Sequence, residues 1–343
     1  MIALILAGGS GTRFWPLSTE ELPKQYLTLF EGKSMLKLTY ERLLSFIPKE
    51  NIFVVTTHEQ IPLVYEYLPE LNACQIIDEP CPRNTGPCIA LSITTLLWNY
   101  NREERVLVLP ADHYIPETQK FKDAVLRADE LAKGNYLITF GIKPTYPATG
   151  YGYIEIGEKI KYEMFHVKHF KEKPNREIAE TFLNSGNYLW NSGMFCFSIF
   201  NMIESFEKYN KECFDKIVEL SVNKDPKQKK EFYEKLDKIP IDVAIFEKAD
   251  NIGVIPLDFI WSDVGNWSAL SDLMIKDSKG NFFKGESFTL NSKNNSVFSI
   301  KFIAMMGVDD LVVVETDDSI LITKKSYSEK VGTISEYIKE KKK

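Results

Sequence analysis

Ile2-Ala-Leu-Ile-Leu6 runs directly into Ala7-Gly-Gly-Ser-Gly-Thr-Arg13, then Phe14-Trp-Pro-Leu-Ser18 and Pro23-Lys-Gln25. Five apolar residues, too few for a helix and closed by glycines, predict a strand buried on both faces of a parallel sheet. The loop that follows suits phosphate. Gly8, Gly9 and Gly11 let backbone N–H groups approach an anion with no Cβ in the way, and oriented N–H groups form an anion-binding hollow. Arg13 and Lys24 add two cations, Arg13 as a planar fork that matches phosphate oxygens. Two better-known glycine loops are excluded. The dinucleotide fingerprint would need its third glycine at Phe14, and the P-loop needs Gly-Lys-Ser/Thr where Gly11 is followed by Thr12-Arg13.

Outward from this stretch, strands and helices alternate. Leu36, Tyr40, Leu43, Leu44 and Ile47 keep helical spacing behind Ser34, and Ile52-Phe-Val-Val-Thr56 is a strand. Gln75–Asp78 and Arg105–Leu109 are further strands, each followed by an apolar helical pattern. Alternation of this kind predicts an α/β fold with a Rossmann-like, mixed but mostly parallel sheet and helices on both faces. Ligands of such sheets sit beyond the carboxyl ends of the strands, which brings together the glycine loop, the Glu79–Pro87 loop and the Pro110–His113 turn. Residues 201–238 are charged and helical, with Phe206, Tyr209, Phe214, Ile217 and Leu220 as a core stripe; this segment reads as structural cover without chemistry. From Gly280 the pattern turns polar, asparagine-rich and alternating, which predicts a small β-rich, β-helix-like domain over 280–343 behind a catalytic domain over 1–275.

The 343 residues are 44% hydrophobic and 26% charged, with no apolar run near the ~20 residues of a membrane span. A net charge of −6 argues against a polynucleotide partner, which needs a basic face. The five cysteines show no C-x-x-C, and with no leader evident before the first strand they read as reduced thiols of a cytoplasmic enzyme. Two carboxylates complete the chemistry. Asp112, at the mouth of the Arg105–Leu109 strand, is a hard oxygen ligand placed for Mg²⁺, and Asp263, in a tight Trp-Ser-Asp-Val-Gly turn, is a second. Taken alone, either could equally cap its turn. A phosphate loop, two cations and two carboxylates together suggest metal-assisted phosphoryl or nucleotidyl transfer, in which an incoming phosphate is already a nucleophile and the protein need only align it and neutralise charge.

Leu6–Ser18 with Pro23-Lys-Gln25 resembles the signature of mannose-1-phosphate guanylyltransferases. Glu79-Pro-Cys-Pro-Arg-Asn-Thr-Gly-Pro87, Pro110-Ala-Asp-His113, Thr149-Gly-Tyr-Gly-Tyr153, Glu172-Lys-Pro174, Asn191-Ser-Gly193 and Trp261-Ser-Asp-Val-Gly265 match in the same order. The resemblance implies attack of mannose 1-phosphate on the α-phosphorus of GTP, giving GDP-mannose and pyrophosphate with Mg²⁺ or another divalent cation. It further implies that Leu6, Ala7, Gly8, Gly9, Gly11, Thr12 and Arg13 cradle the nucleotide, and that Lys24 neutralises the α-phosphate. Arg83, Asn84 and Thr85 would read the base and support its ribose. Gly150, Glu172, Lys173 and Asn191 would bind the sugar phosphate, and Asp112 and Asp263 the metal. Gly86 and Cys88 stand where alanines are expected, and Cys88 is read as a small helix residue. Bifunctional members carry a cupin isomerase domain after this region; with the last residue at Lys343, transferase activity alone is expected. Another sugar 1-phosphate or base, a non-catalytic sensor of GDP-mannose, and a homodimer remain compatible with the sequence.

Overall fold

All of Ile2–Ile5 is fully buried, as a strand covered on both faces must be. In a computed structural model of the protein, describing residues 1–343 except Ser10, Asn223, Lys224 and Lys343, this strand is β1 (Ile2–Leu6). A small hairpin β2 (Thr28–Phe30) and β3 (Lys33–Ser34) leads to α1 (Met35–Leu44), β4 (Ile52–Thr57), α2 (Ile61–Tyr67), β5 (Ile76–Glu79) and α3 (Thr85–Leu96). Then come β6 (Arg105–Pro110), α4 (Thr118–Ala132), β7 (Leu137–Ile142), β8 (Tyr153–Lys161), β9 (Met164–Lys171), α5 (Arg176–Ser185) and β10 (Tyr188–Ser198). Helices α6 (Ile199–Tyr209), α7 (Lys211–Val222) and α8 (Pro226–Tyr233), strand β11 (Ile252–Leu257) and α9 (Trp267–Asp272) follow.

The large sheet runs β5-β4-β1-β6-β10-β7-β11-β9-β8. Strands β5, β4, β1 and β6 are mutually parallel, and β7 is parallel to β11. Between them β10 runs antiparallel to both β6 and β7, so the sheet is mixed. Ile2 and Leu4 share one core cluster with Ile89 and Ile93 of α3 and Ile217 of α7. By strand alternation, buried Ala3 and Ile5 face the opposite side, and α4 packs on β6, β7, β10 and β11. The expected α/β architecture is therefore present. Strand β10 lacks a continuous apolar pattern because its ladder to β7 is broken between Asn191 and Phe195 by a bulge, where Gly193 takes a positive φ of 70°.

The C-terminal strands are β12 (Phe282–Phe283), β13 (Ser287–Leu290), β14 (Ser296–Phe298), β15 (Ile303–Met306), β16 (Leu311–Glu315) and β17 (Ile320–Lys324), before α10 (Gly332–Lys342). Strands β12, β14 and β16 stack in parallel, as do β13 and β15, forming the coils of a β-helix-like stack. Two asparagines of the polar, asparagine-rich segment are inside it. Asn281 and Asn295 are buried, and Asn295 Oδ1 accepts from Leu311 N–H (3.0 Å) while its Nδ2 donates to the Val308 carbonyl (2.9 Å). Asn281 Oδ1 in turn accepts the Asn295 N–H (3.0 Å). Buried amides survive there because the ladder satisfies them.

The chain divides into two compact units. One comprises Met1–Gly8, Leu36–Ala111 and Ile115–Trp261; the other comprises Gly9–Met35, Asp112–Tyr114 and Ser262–Lys343.

Candidate active site

In the unit that holds the C-terminal coils, Tyr114 and Ser262 exchange backbone hydrogen bonds of 2.9 and 3.1 Å. This antiparallel bridge brings Asp112 and Asp263 alongside one another from opposite ends of the sequence. Lys24 meets both. It is only 5% exposed, and its ammonium donates to Asp112 Oδ2 at 2.7 Å and to the backbone carbonyl of Asp263. The neighbouring Gln25 Nε2 donates to the Gly9 carbonyl at 2.9 Å, tying the same turn to the glycine loop. Gly11 adopts φ +54°, and a Cβ there would lie 2.5 Å from Lys24 Cβ. Any side chain at residue 11 would therefore push Lys24 off its aspartate.

Burial pushes the Asp112 carboxyl up, but the charges of Lys24 and His113 and the Lys24 hydrogen bond outweigh it and hold the group below its ordinary value. Arg13 is exposed and makes no ion pair among the described residues. Phe14 and Trp15 anchor the loop: the Phe14 ring packs 4.9 Å from that of Trp267, whose Nε1 donates to the Trp15 carbonyl at 3.0 Å.

Asp263 Oδ1 accepts the Gly265 N–H at 3.1 Å. Among the described residues no group of three or more His, Cys, Asp or Glu forms a closed metal cage. Two hard carboxylates suit Mg²⁺, which keeps waters or phosphate oxygens in its other positions, so the donor set fits that ion.

In the other unit, β1 ends in backbone that is already paired. Ala7 N–H donates to the Val55 carbonyl (2.8 Å), the Leu6 carbonyl accepts from Ala111 N–H (3.0 Å), and the Ala7 carbonyl accepts from the Thr56 hydroxyl (3.0 Å). Glu79 lies buried beneath the start of the glycine loop, since a Cβ on Gly8 would lie 3.2 Å from Glu79 Oε2. Its Oε1 accepts the Tyr233 hydroxyl (3.0 Å) and the Arg83 N–H (3.3 Å). Desolvation outweighs both bonds and pushes its pKa up to about 7.

The loop from Arg83 to Gly86 is fastened to the segment after α8. The Arg83 guanidinium donates to the Glu234 carbonyl, and Ile241 N–H donates to the Thr85 hydroxyl at 2.8 Å. Gly86 N–H donates to the Ile239 carbonyl at 3.0 Å; a Cβ at residue 86 would lie 2.6 Å from that oxygen, which accounts for glycine in place of the expected alanine. Asn84 Oδ1 caps α3 by accepting the Thr85 N–H. Within residues 201–238, Tyr233 and Glu234 fasten the Arg83–Thr85 loop, through Glu79 and the Arg83 guanidinium.

Elsewhere in this unit, Glu172 pairs with Lys173 at 2.6 Å and lies against Gly152, where a Cβ would come 2.7 Å from Glu172 Oε2. Asn191 is 8% exposed and donates through Nδ2 to Asp242 Oδ1 at 2.7 Å. Gly150, next along the same loop, is open on the side where a Cβ would stand.

A family model described as nucleotidyl transferase matches residues 2–280, and one described as a MannoseP isomerase/GMP-like beta-helix domain matches residues 285–336. Mannose-1-phosphate guanylyltransferase 2 of Escherichia coli O157:H7 is 38% identical over 99% of this chain and 73% of its own length. The chain belongs to the mannose-1-phosphate guanylyltransferase family. It is accordingly a nucleotidyltransferase. Mannose-1-phosphate guanylyltransferase RfbM of Salmonella typhimurium is likewise 38% identical, over 98% of this chain and 72% of its own. A Thermus thermophilus crystal structure described as a mannose-1-phosphate geranyltransferase superposes with a TM-score of 0.90 at 32% identity, covering 98% of this chain and 99% of that one.

Within this family member, the structure groups Gly9, Gly11, Lys24, Asp112 and Asp263 in one unit, and Gly8 with Arg83–Thr85, and Glu172, Lys173 and Asn191, in the other. Sequence reading did not single out Glu79, Tyr233 or Asp242 as site residues. The available signal was an acid or phenol inside an apolar stretch, as in Ile239-Pro-Ile-Asp-Val-Ala-Ile-Phe246.

Proposed function

We propose that this chain transfers GMP from GTP to α-D-mannose 1-phosphate, releasing pyrophosphate and forming GDP-mannose. The observation that carries the reading is the convergence of Lys24 on both Asp112 and Asp263 beside Gly11. A phosphate oxygen of the sugar phosphate forms the new bond to the α-phosphorus, and the bond from that phosphorus to the bridging oxygen breaks, leaving pyrophosphate with the electron pair. Backbone from Leu6 to Thr12 cradles the triphosphate. Arg13, exposed and without an ion pair among the described residues, meets the leaving pyrophosphate. Lys24 neutralises the charge that grows on the α-phosphate, a preorganised donor of the kind that dominates such transfers. Arg83, Asn84 and Thr85 form the base and ribose loop, while Gly150, Glu172, Lys173 and Asn191 receive the sugar phosphate. Asp112 and Asp263 would hold Mg²⁺, which when bound supplies Lewis-acid neutralisation of phosphate charge.

We assign catalysis to residues 1–275 and a supporting role to 280–343. No helix among the described residues is long and apolar enough to cross a membrane, and a cytoplasmic enzyme with a nucleoside triphosphate substrate is consistent with that. Exposed Phe288, Met306, Ile320 and Ile322 on the C-terminal strands, with Phe302 just before one of them, supply apolar surface for a homodimer.

Pyrophosphate release from the purified chain with each NTP, mannose 1-phosphate and Mg²⁺ tests the reading. Release with GTP alone, abolished by EDTA, is expected. Release with another nucleotide would move the base assignment, and folded protein that binds GDP-mannose without turnover would be a sensor.

A further inference from the structure

We propose that Asp242 is a positioning residue that sets selectivity for the sugar phosphate by locking the Asn191 amide in one orientation. The proposal rests on the assignment of Asn191, Glu172 and Lys173 to the sugar-phosphate end.

Asp242 opens a π-helical turn, Asp242–Phe246, a rare geometry that recurs at functional sites. It is buried, as are Ile241, Ala244, Ile245 and Phe246 beside it in the sequence. Among the described residues the carboxylate's hydrogen-bond partner is Asn191 Nδ2, at 2.7 Å. The other end of that amide is occupied as well. Asn191 Oδ1 accepts from the Thr139 hydroxyl at 2.9 Å and from Gly193 N–H at 3.2 Å, across the bulge of β10. Flipping the amide would turn its oxygen onto the carboxylate and its NH₂ onto the Gly193 N–H, so Asp242 and that backbone donor select one orientation, and the Thr139 hydroxyl adds a further bond to it. One N–H of the NH₂ group is left over. In that orientation the free N–H is a fixed donor with no acceptor option.

Glu172 stands near enough to Asp242 for the two carboxylates to repel. Burial first, and Glu172 second, push the Asp242 pKa up to about 7. Lys173 holds the Glu172 carboxylate, and Glu247 Oε1 holds the Glu172 N–H at 2.9 Å. An acid buried beside another acid is unfavourable for folding, and an apolar residue of similar size would not carry that cost. The feature it supplies is the orientation of Asn191. A fixed polar group rejects a sugar that presents the wrong hydroxyl, since a mismatch leaves buried polar atoms unpaired.

The test uses the full chain with GTP and Mg²⁺. The wild-type protein is first offered a panel of sugar 1-phosphates, and whichever it uses is the probe. Use of a sugar other than mannose would overturn the sugar identity given above, while Asp242 is judged on the accepted sugar in the same way. Asp242→Asn keeps size and shape but offers Asn191 an amide in place of a carboxylate. It should raise KM for the sugar phosphate about tenfold to a hundredfold, the scale of one charged hydrogen bond. KM for GTP should stay within about twofold, the level of a change that leaves binding contacts intact. Discrimination against epimeric sugar 1-phosphates should fall in parallel, and Asp242→Glu should recover part of the selectivity. Thr139→Val, which removes one of the two donors to Asn191 Oδ1, should reproduce part of the sugar-side effect if Asp242→Asn fails to fold. Equal increases in both KM values, or unchanged kinetics with only a lowered Tm, would overturn the proposal.

Discussion

Asp112 and Asp242 are the same acid in two separately packed units, and the protein treats them oppositely. Asp112 is given a cation, Lys24 at 2.7 Å, with His113 behind it, and its carboxyl is held below the ordinary value despite burial. Asp242 is given a neutral amide and a second acid, and it is pushed up to about 7. Glu79 belongs with Asp242, since its partners are a phenol and a backbone N–H and its pKa also rises to about 7. The difference shows what each region must do. Full negative charge is maintained where a metal and polyphosphate chemistry is assigned, because ligation needs the carboxylate form. Elsewhere acids are kept for the direction of a hydrogen bond, and their charge is only marginally maintained at neutral pH.

The sharpest way to break this contrast is Asp112→Asn, which removes the charge but keeps the shape. kcat should fall about a hundredfold or more, the cost of losing one preorganised electrostatic contact. The Mg²⁺ concentration for half-maximal rate should rise, while circular dichroism and Tm show an intact fold. Normal activity of the folded variant at limiting Mg²⁺ would remove Asp112 from the metal site.

Arg13→Ala should be milder. Loss of roughly 1.5–3 kcal/mol, the range for a hydrogen bond to a charged group, predicts a fall in kcat/KM of about ten- to a hundredfold. Arg13 is exposed and without an ion pair among the described residues, so Tm should not move. A large loss of Tm would mean that Arg13 holds the loop together and does not meet substrate.

The smallest effect sharpens the other side. The folded Glu79 pKa of about 7 lies above its ordinary 4.5, so between those values the folded state retains a proton that the unfolded chain has released. Stability therefore declines as pH rises through that window and levels off above it. Asp242, raised from 3.8 to about 7, acts in the same direction. Asp112, being lowered, contributes stability above its ordinary 3.8 and loses it as pH falls further. Glu79→Gln should reduce the decline in Tm between about pH 4.5 and 7 without abolishing it, because Asp242 remains. A melting curve series with the wild-type slope would show that Glu79 does not titrate there.

Much of the charged end was legible in the sequence. The Ile2–Leu6 run could only be a doubly buried strand, and the glycines after it could only be a loop with close backbone approach. Arg13, Lys24, Asp112 and Asp263 are polar residues at strand ends and turns, where local chemistry and position declare themselves. The second end was partly hidden. Strand β10 escaped notice because Asn191-Ser-Gly193 interrupts its apolar pattern at a bulge, and the asparagine-rich run from Gly280 was legible as polar and alternating without showing that Asn281 and Asn295 form a buried ladder.

The sequence by itself determined the layered α/β fold, the glycine loop after its first strand and the types of group that carry charge, because periodicity and glycine placement are local properties. Only the tertiary structure decided which acid stays ionised, because that depends on whether a cation or an amide is folded against it. It alone set Lys24 between Asp112 and Asp263, Tyr233 on Glu79, and Asp242 on Asn191. Each of these pairs joins residues far apart along the chain, and no local pattern records such a meeting.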